Sequence, residues 1–373
     1  MNSAFDELYA SARIIIFVGT GGVGKTTVAA ATALHGAQRG ERTACLTIDP
    51  ARRLADSLGA GAGSGIFFSS SGLTDVSDAI RASGVALSGS LHIEMLDAAA
   101  TFEAMVQAAD VTPERKRLVL QNPLYRHMSQ SLSGMQEYMA LERLLQIQQD
   151  PTFDKVILDT PPSTNAIDFF SAPDRTQQLF NGPVLRLIRH LANPTTRRTF
   201  NPFKQWTSAF PEMLSQVVGV QFVRDMLGFV DVLYGLFENF LAHAQTLRRL
   251  FTSSDVAIVA VARPEICDWT EINHFRSQLL RMHIPMRAYL LNQLHHPCVP
   301  APSDAQDSPS CEAYIAHATH KWNQRADKEH MLMQKIRSEW TELQQLYGVP
   351  ILEHPPNSAL LLREIGLRCT KFE

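Results

Sequence analysis

The sequence predicts an α/β protein, a mostly parallel β-sheet flanked by helices and carrying an α-helical insertion subdomain. Three observations predict it. A β-branched run, IIIFV at residues 14–18, leads into a glycine-rich turn and then an alanine-rich stretch. Short apolar runs of strand length alternate with helical periodicities, the pattern of parallel strands joined by crossover helices. One long interval, Arg175 to Phe251, has no strand signal and is rich in large apolar residues.

Taken in order, Ala12–Val18 reads as a strand and Thr26–Arg39 as a helix closed by Gly40. Thr43–Ile48 is a second strand ending at Asp49, and residues 59–72, rich in Gly and Ser, form a loop. Leu91–Leu96 is another strand, with helical periodicity following to about Gln149. Val156–Leu158 is a short buried strand ending at Asp159, and Asp255–Ala262 and Met286–Leu291 are further strands separated by a helix. The Pro/Ser-rich segment 299–310 is an exposed loop. Within the strandless interval, Val217–Leu241 is apolar around most of its circumference, with Arg224, Asp225, Asp231 and Glu238 in one narrow stripe. Those charges argue against a membrane span. A helix of this kind is covered by its own core, a partner or a client.

The chain has 373 residues, 45% of them hydrophobic, with 34 basic and 37 acidic side chains. That size suits one domain over 1–373, its helical insertion formed by about 100–150 and 175–250. A net charge of −3 gives no electrostatic reason to expect nucleic acid as a partner. The opening MNSAFDELYA shows no secretory pattern, and five irregularly spaced cysteines form no disulfide framework. The expected compartment is the cytoplasm.

Gly19-x4-Gly24-Lys25-Thr26 satisfies the phosphate-loop pattern, which makes the expected fold that of a P-loop NTPase. Glycines let backbone N–H groups turn inward around phosphate oxygens, so Gly21, Gly22, Val23, Gly24, Lys25, Thr26 and Thr27 are the expected nucleotide-binding residues. Lys25 would reach the β- and γ-phosphates, the Thr26 hydroxyl would ligate Mg²⁺, and the following helix points its positive end at the same anion. Asp159, ending the strand VILD before TPPS, is placed to hold the Mg²⁺ shell or to serve a turn. Asp49, in TIDPARRLAD, is placed beside the phosphates to orient or deprotonate water, or to cap the helix starting at Pro50.

GTGGVGKTT, DPARRLAD, DTPPSTNAIDFFSAP and LLNQL occur in the order seen in the arsenite-pump ATPase ArsA and the targeting ATPases of the guided-entry pathway for tail-anchored proteins. The chain resembles that family from Arg13 to about Leu367. The resemblance implies ATP hydrolysis with Mg²⁺ and a homodimer closing face to face around two ATP molecules. It implies that Asp49 activates water, that Asn292 contacts adenine and that Asp159–Ser163 is the second switch. It also implies that the helical insertion forms an apolar groove, which in the targeting branch shields a client's transmembrane helix. The alternatives are the catalytic subunit of an arsenite-type anion pump, which the resemblance permits, and a positioning ATPase that uses ATP to switch its binding to DNA or membrane.

Two departures stand out. The family's loop carries a lysine at the position of Thr20, which reaches the partner subunit's nucleotide, and a threonine supplies no charge. Arg52 and Arg53 are the candidate substitutes. The targeting branch also has a CxxC pair that holds zinc across the dimer. Here Cys298 and Cys311 are far apart, with His295, His296, His317 and His320 dispersed around them, and the cysteines of an arsenite site have no counterpart.

Overall fold

A computed structural model describes residues 4–10, 12–48, 54, 58, 72–108, 112–121, 135–160, 166–181, 242–266, 269–299, 309–340, 343–354 and 358–372. Asp49, Arg52, Arg53, Pro161–Ser163, Val217–Leu241 and nearly all of the expected loops at 59–72 and 299–310 lie outside them. The chain divides into two compact units. One comprises Met1–Met95, Ile147–Ile167 and Thr252–Glu373, the other Leu96–Gln146 and Asp168–Phe251.

The first unit is built on a mostly parallel sheet of nine strands among the described residues, in the order β3-β4-β2-β5-β1-β6-β7-β8-β9. These are β1 (Ile14–Val18), β2 (Arg42–Thr47), β3 (Thr74–Asp75), β4 (Ser90–Met95), β5 (Lys155–Asp159), β6 (Val256–Ala262), β7 (Met286–Leu294), β8 (Gln345–Pro350) and β9 (Thr370–Phe372). Only the outermost strands, β3 and β9, run antiparallel to their neighbours. β1, β5 and β6 are buried along their whole length, which is why they read as unbroken apolar runs. Sequence reading missed β3, β8 and β9. Two are very short, and β8 carries a Gly and a Pro that usually mark turns.

Helices cover both faces. Ile15 and Phe17 of β1 join the core formed with helix α2 (Lys25–Gln38), an alanine-rich helix buried on nearly every side. α1 (Ala4–Ala10) and the last helix, Ala359–Arg368, also pack on α2. The last helix buries Ala359, Leu362 and Ile365 and is capped by Ser358, whose side chain accepts from the N–H of Leu361. On β7, Tyr289 meets the edge of Trp340 at 5.1 Å, and Trp340 stacks on Trp269 at 5.6 Å. α2 ends as the sequence suggests. Gly40 has φ 97°, and the N–H groups of Gly40 and Glu41 return to the carbonyls of Ala37 and Gly36.

The second unit is helical where described. It contains Ala98–Ala108, Pro113–Gln121, most of Met135–Gln149, most of Ala166–Asn181 and a helical stretch at 242–251. Phe169, Phe170 and Phe251 cluster edge to face. Tyr138 donates to the buried Glu142, which also meets His243 at 2.7 Å.

Glycine at 36 is required by a close approach inside the first unit. A Cβ there would lie 2.1 Å from Tyr9 Oη, a hydroxyl that donates to Glu41 Oε2. Alanine would ordinarily strengthen a helix interior by up to ~1 kcal/mol. Gly36→Ala is instead expected to destabilise the protein by ~1–3 kcal/mol, read as a lower denaturation midpoint. Thr43 Oγ1 and Tyr9 Cζ would each lie 2.6 Å from the same Cβ, so Tyr9→Phe alone is not expected to restore the loss.

Candidate functional site

Strands β1, β2 and β5 end at one edge of the sheet, and what their last residues carry defines the site. β1 runs into the loop 19–24 and then α2. Gly24 is the residue before α2, with φ 90°, and no side chain caps the helix start. The first-turn amides of α2 therefore face the loop without a capping oxygen, the arrangement that attracts an anion. Gly21 and Gly22 are exposed on the loop, Val23 is buried beneath it, and Thr27 is half-buried in the first turn.

Lys25 is buried, and its Nζ donates to the carbonyl of Thr20 at 2.8 Å. Thr20 thus enters the site through its backbone. Thr26 Oγ1 donates to Asp159 Oδ2 at 2.6 Å. Thr47, at the end of β2, donates to the same oxygen at 3.0 Å. Asp159 has no exposed surface. The strand register makes this meeting possible, because Thr47 pairs directly with Asp159 between β2 and β5. The pairing continues one residue further, where Ile48 N–H donates to the Asp159 carbonyl, so the strand leading to Asp49 is held beside Asp159. Thr160 fastens the same corner through its hydroxyl to the Phe17 carbonyl at 2.7 Å.

The hard oxygens of Thr26 and Asp159 suit Mg²⁺, which prefers carboxylate and hydroxyl oxygen over sulfur or imidazole. The neighbouring Cys45 thiol is pushed up by burial and by the Asp159 carboxylate, so it stays protonated and adds no soft ligand at neutral pH.

Asn292 is buried two residues before the end of β7 and bonds the loop. Its Nδ2 donates to the Val23 carbonyl at 2.9 Å, and a Cβ on Gly24 would lie 2.3 Å from that nitrogen. The structure therefore brings together Lys25, Thr26, Asp159 and Asn292. Asp49 is outside the described residues. Sequence reasoning missed Thr47, and it placed Thr160 only within the expected switch Asp159–Ser163, with no role of its own. The only trace of Thr47 was a hydroxyl at the end of an otherwise apolar strand, two residues before Asp49. The dispersed His and Cys residues divide differently. His295 is buried against Glu329, Cys298 is exposed, and no group of three potential metal ligands occurs among the described residues.

A glycine loop between the first strand and a helix, at the edge of a parallel sheet and beside an aspartate ending a neighbouring strand, defines the P-loop NTPase class. Residues 12–354 match the model of the family described as anion-transporting ATPase, and the chain belongs to that family. It is 28% identical over 220 residues to the putative arsenical pump-driving ATPase 1 of Aquifex aeolicus, an alignment covering 56% of this chain and 51% of that protein. It is 29% identical over 165 residues to a putative arsenical pump-driving ATPase of Chlorobaculum tepidum, covering 43% and 36%. An uncharacterised protein of Streptomyces coelicolor matches at 26% over 246 residues, covering 64% and 54%. The chain thus spans about half or less of the length of these relatives.

The bond from Asn292 to Val23 makes a prediction without nucleotide. Asn292→Ala leaves a buried carbonyl unsatisfied, and unfolding in the absence of ligand is expected to become easier by ~1–3 kcal/mol. Chemical denaturation of the ligand-free protein measures this.

Proposed function

We propose that this chain is a Mg²⁺-dependent ATPase that works as a homodimeric switch and binds a hydrophobic client, a tail-anchored or other membrane protein. The observation that carries the ATPase reading is the convergence of Thr26 and Asp159 on each other at 2.6 Å beside the phosphate loop. A hydroxyl and a carboxylate at that point are what a nucleotide-bound Mg²⁺ requires. Mg²⁺, when bound, would neutralise phosphate charge.

Each residue then has a task. Lys25 exchanges the Thr20 carbonyl for the β- and γ-phosphates, and the first-turn amides of α2 complete the anion cradle. Thr26 and Asp159 would hold the metal, and Thr47 keeps Asp159 oriented. Asp49 orients and deprotonates the attacking water. Asn292 keeps its bond to Val23 and offers its Oδ1 and second amide hydrogen to adenine. Arg52 and Arg53 supply across the dimer the positive charge that Thr20 lacks.

The client reading is supported by the apolar stretch Val217–Leu241 and by the family resemblance of the motifs. A second reading, that the chain is the cytoplasmic catalytic subunit energising a membrane anion pump, is favoured by the names of the Aquifex and Chlorobaculum relatives. Arsenite as the anion would require clustered soft ligands. Among the described residues the free thiols are Cys45 and Cys369, both buried, and the exposed Cys298. Burial pushes Cys369 up to about 12. No helix among the described residues is long and apolar enough to cross a membrane.

Purified protein is expected to hydrolyse ATP only with Mg²⁺, and Asp49→Asn is expected to lower turnover by ~10²-fold or more while nucleotide still binds. Lys25→Ala should abolish binding as well. Proteins with a single terminal apolar segment should co-purify with the Asp49→Asn variant in ATP. Turnover that rises with arsenite would favour the pump reading instead. Replacing both Arg52 and Arg53 with Ala is expected to slow turnover in the dimer, and an unchanged rate would remove them from the mechanism.

A further inference from the structure

Gln293 carries an unusual backbone. Its φ is 63°, a left-handed conformation that residues with a Cβ adopt at a cost of about 1 kcal/mol or more. It sits where β7 loses register with β8. Asn292 pairs with Val349 and Leu294 with Pro350, leaving Gln293 as the extra residue of a bulge. The residue before the bulge is the one that bonds the phosphate loop. Strain of this kind persists only where the surroundings fix it.

Beside the pairing with β8 and the bond from Ile351 N–H to the Leu294 carbonyl, the segment after the bulge is held by the long helix Pro309–Glu339. Trp322, Ala326, Glu329, Met333 and Ile336 recur at helical spacing, and all but Trp322 are among its buried residues. Glu329 accepts twice from the residue just past β7, from His295 N–H at 2.6 Å and His295 Nδ1 at 2.7 Å. A carboxylate only accepts, so Nδ1 carries the hydrogen. Trp322 packs on the His295 ring at 4.4 Å and donates to the His296 carbonyl, and Asn323 bonds both backbone groups of Cys298. The strand leaving the bulge is thus anchored by side-chain bonds from one helix.

Resting on the ATPase reading above, we infer that Glu329 is a positioning residue for the nucleotide site. By clamping His295 it holds Gln293 in its strained conformation, and the bulge in turn aims Asn292 at the Val23 carbonyl of the phosphate loop. The clamp and the loop contact stand on opposite sides of one strained residue. Loosening the first lets the bulge relax and withdraws the second.

The test is calorimetric binding of ADP with Mg²⁺ to the full chain. Glu329→Ala is expected to weaken binding about tenfold, and Glu329→Gln, which keeps one acceptor and serves if the alanine variant fails to fold, by less. Gln293→Gly, which adopts φ 63° without strain, is expected to return most of the affinity when added to either variant. In the Asn292→Ala background, Glu329→Ala is expected to add no further loss. A purely structural glutamate would lower the melting temperature without this rescue or this non-additivity. An unchanged binding constant in Glu329→Ala, or a loss that Gln293→Gly does not recover, overturns the inference while leaving the ATPase reading intact. No binding by the wild-type chain overturns both.

Discussion

A carboxyl group with no exposed surface must have its hydrogen bonds supplied by the protein, and Asp159 is such a group. Two hydroxyls converge on its Oδ2, one from the first turn of α2 and one from the end of β2. That requirement fixes more than a side chain. Thr47 meets Asp159 only because β2 and β5 pair in one register, and a slip of one residue would turn the hydroxyl to the other face of the sheet. Thr26 meets it only because the glycine loop delivers α2 at the level of the β5 terminus. The polar knot at the sheet edge and the apolar sheet beneath it therefore specify each other.

Much of this was legible in the sequence, for definite reasons. β1, β5 and β6 are buried on both faces, so each appears as a continuous apolar run, and the phosphate loop is contiguous, so its pattern survives without a structure. What was not legible depends on partners distant in the chain. The Asn292–Val23 bond joins residues 269 positions apart, and nothing near Asn292 announces it. Resemblance to a family suggested adenine as its contact, while the fold gives it a bond to the loop itself. Thr47 looks like any β-branched strand residue until Asp159 is placed opposite. β3 and β9 exist because an edge strand is available to pair with, which composition does not record.

The same contrast separates the two units. Every described residue of the candidate site lies in the sheet-bearing unit, and the chain leaves it directly after β4 and again eight residues after Asp159. The two excursions into the helical unit thus begin just beyond the ends of strands whose neighbours hold the site. In the proposed switch, segment 160–167 is the shortest covalent route from the buried aspartate to the second unit.

The packing of the final helix on α2 has a consequence for how the molecule comes into being. α2 follows the phosphate loop near the start of the chain, yet part of its apolar surface is covered by Ala359–Arg368. Synthesis at ~5–20 residues per second separates the two by tens of seconds. Throughout that interval α2 lacks one of its walls, and the alanines that suit it to a crowded interior give it little surface with which to hold a place. The packing around α2 is thereby completed through contacts of very long sequence separation. In a nascent chain, one wall of α2 is thus supplied by a segment made long after the helix itself.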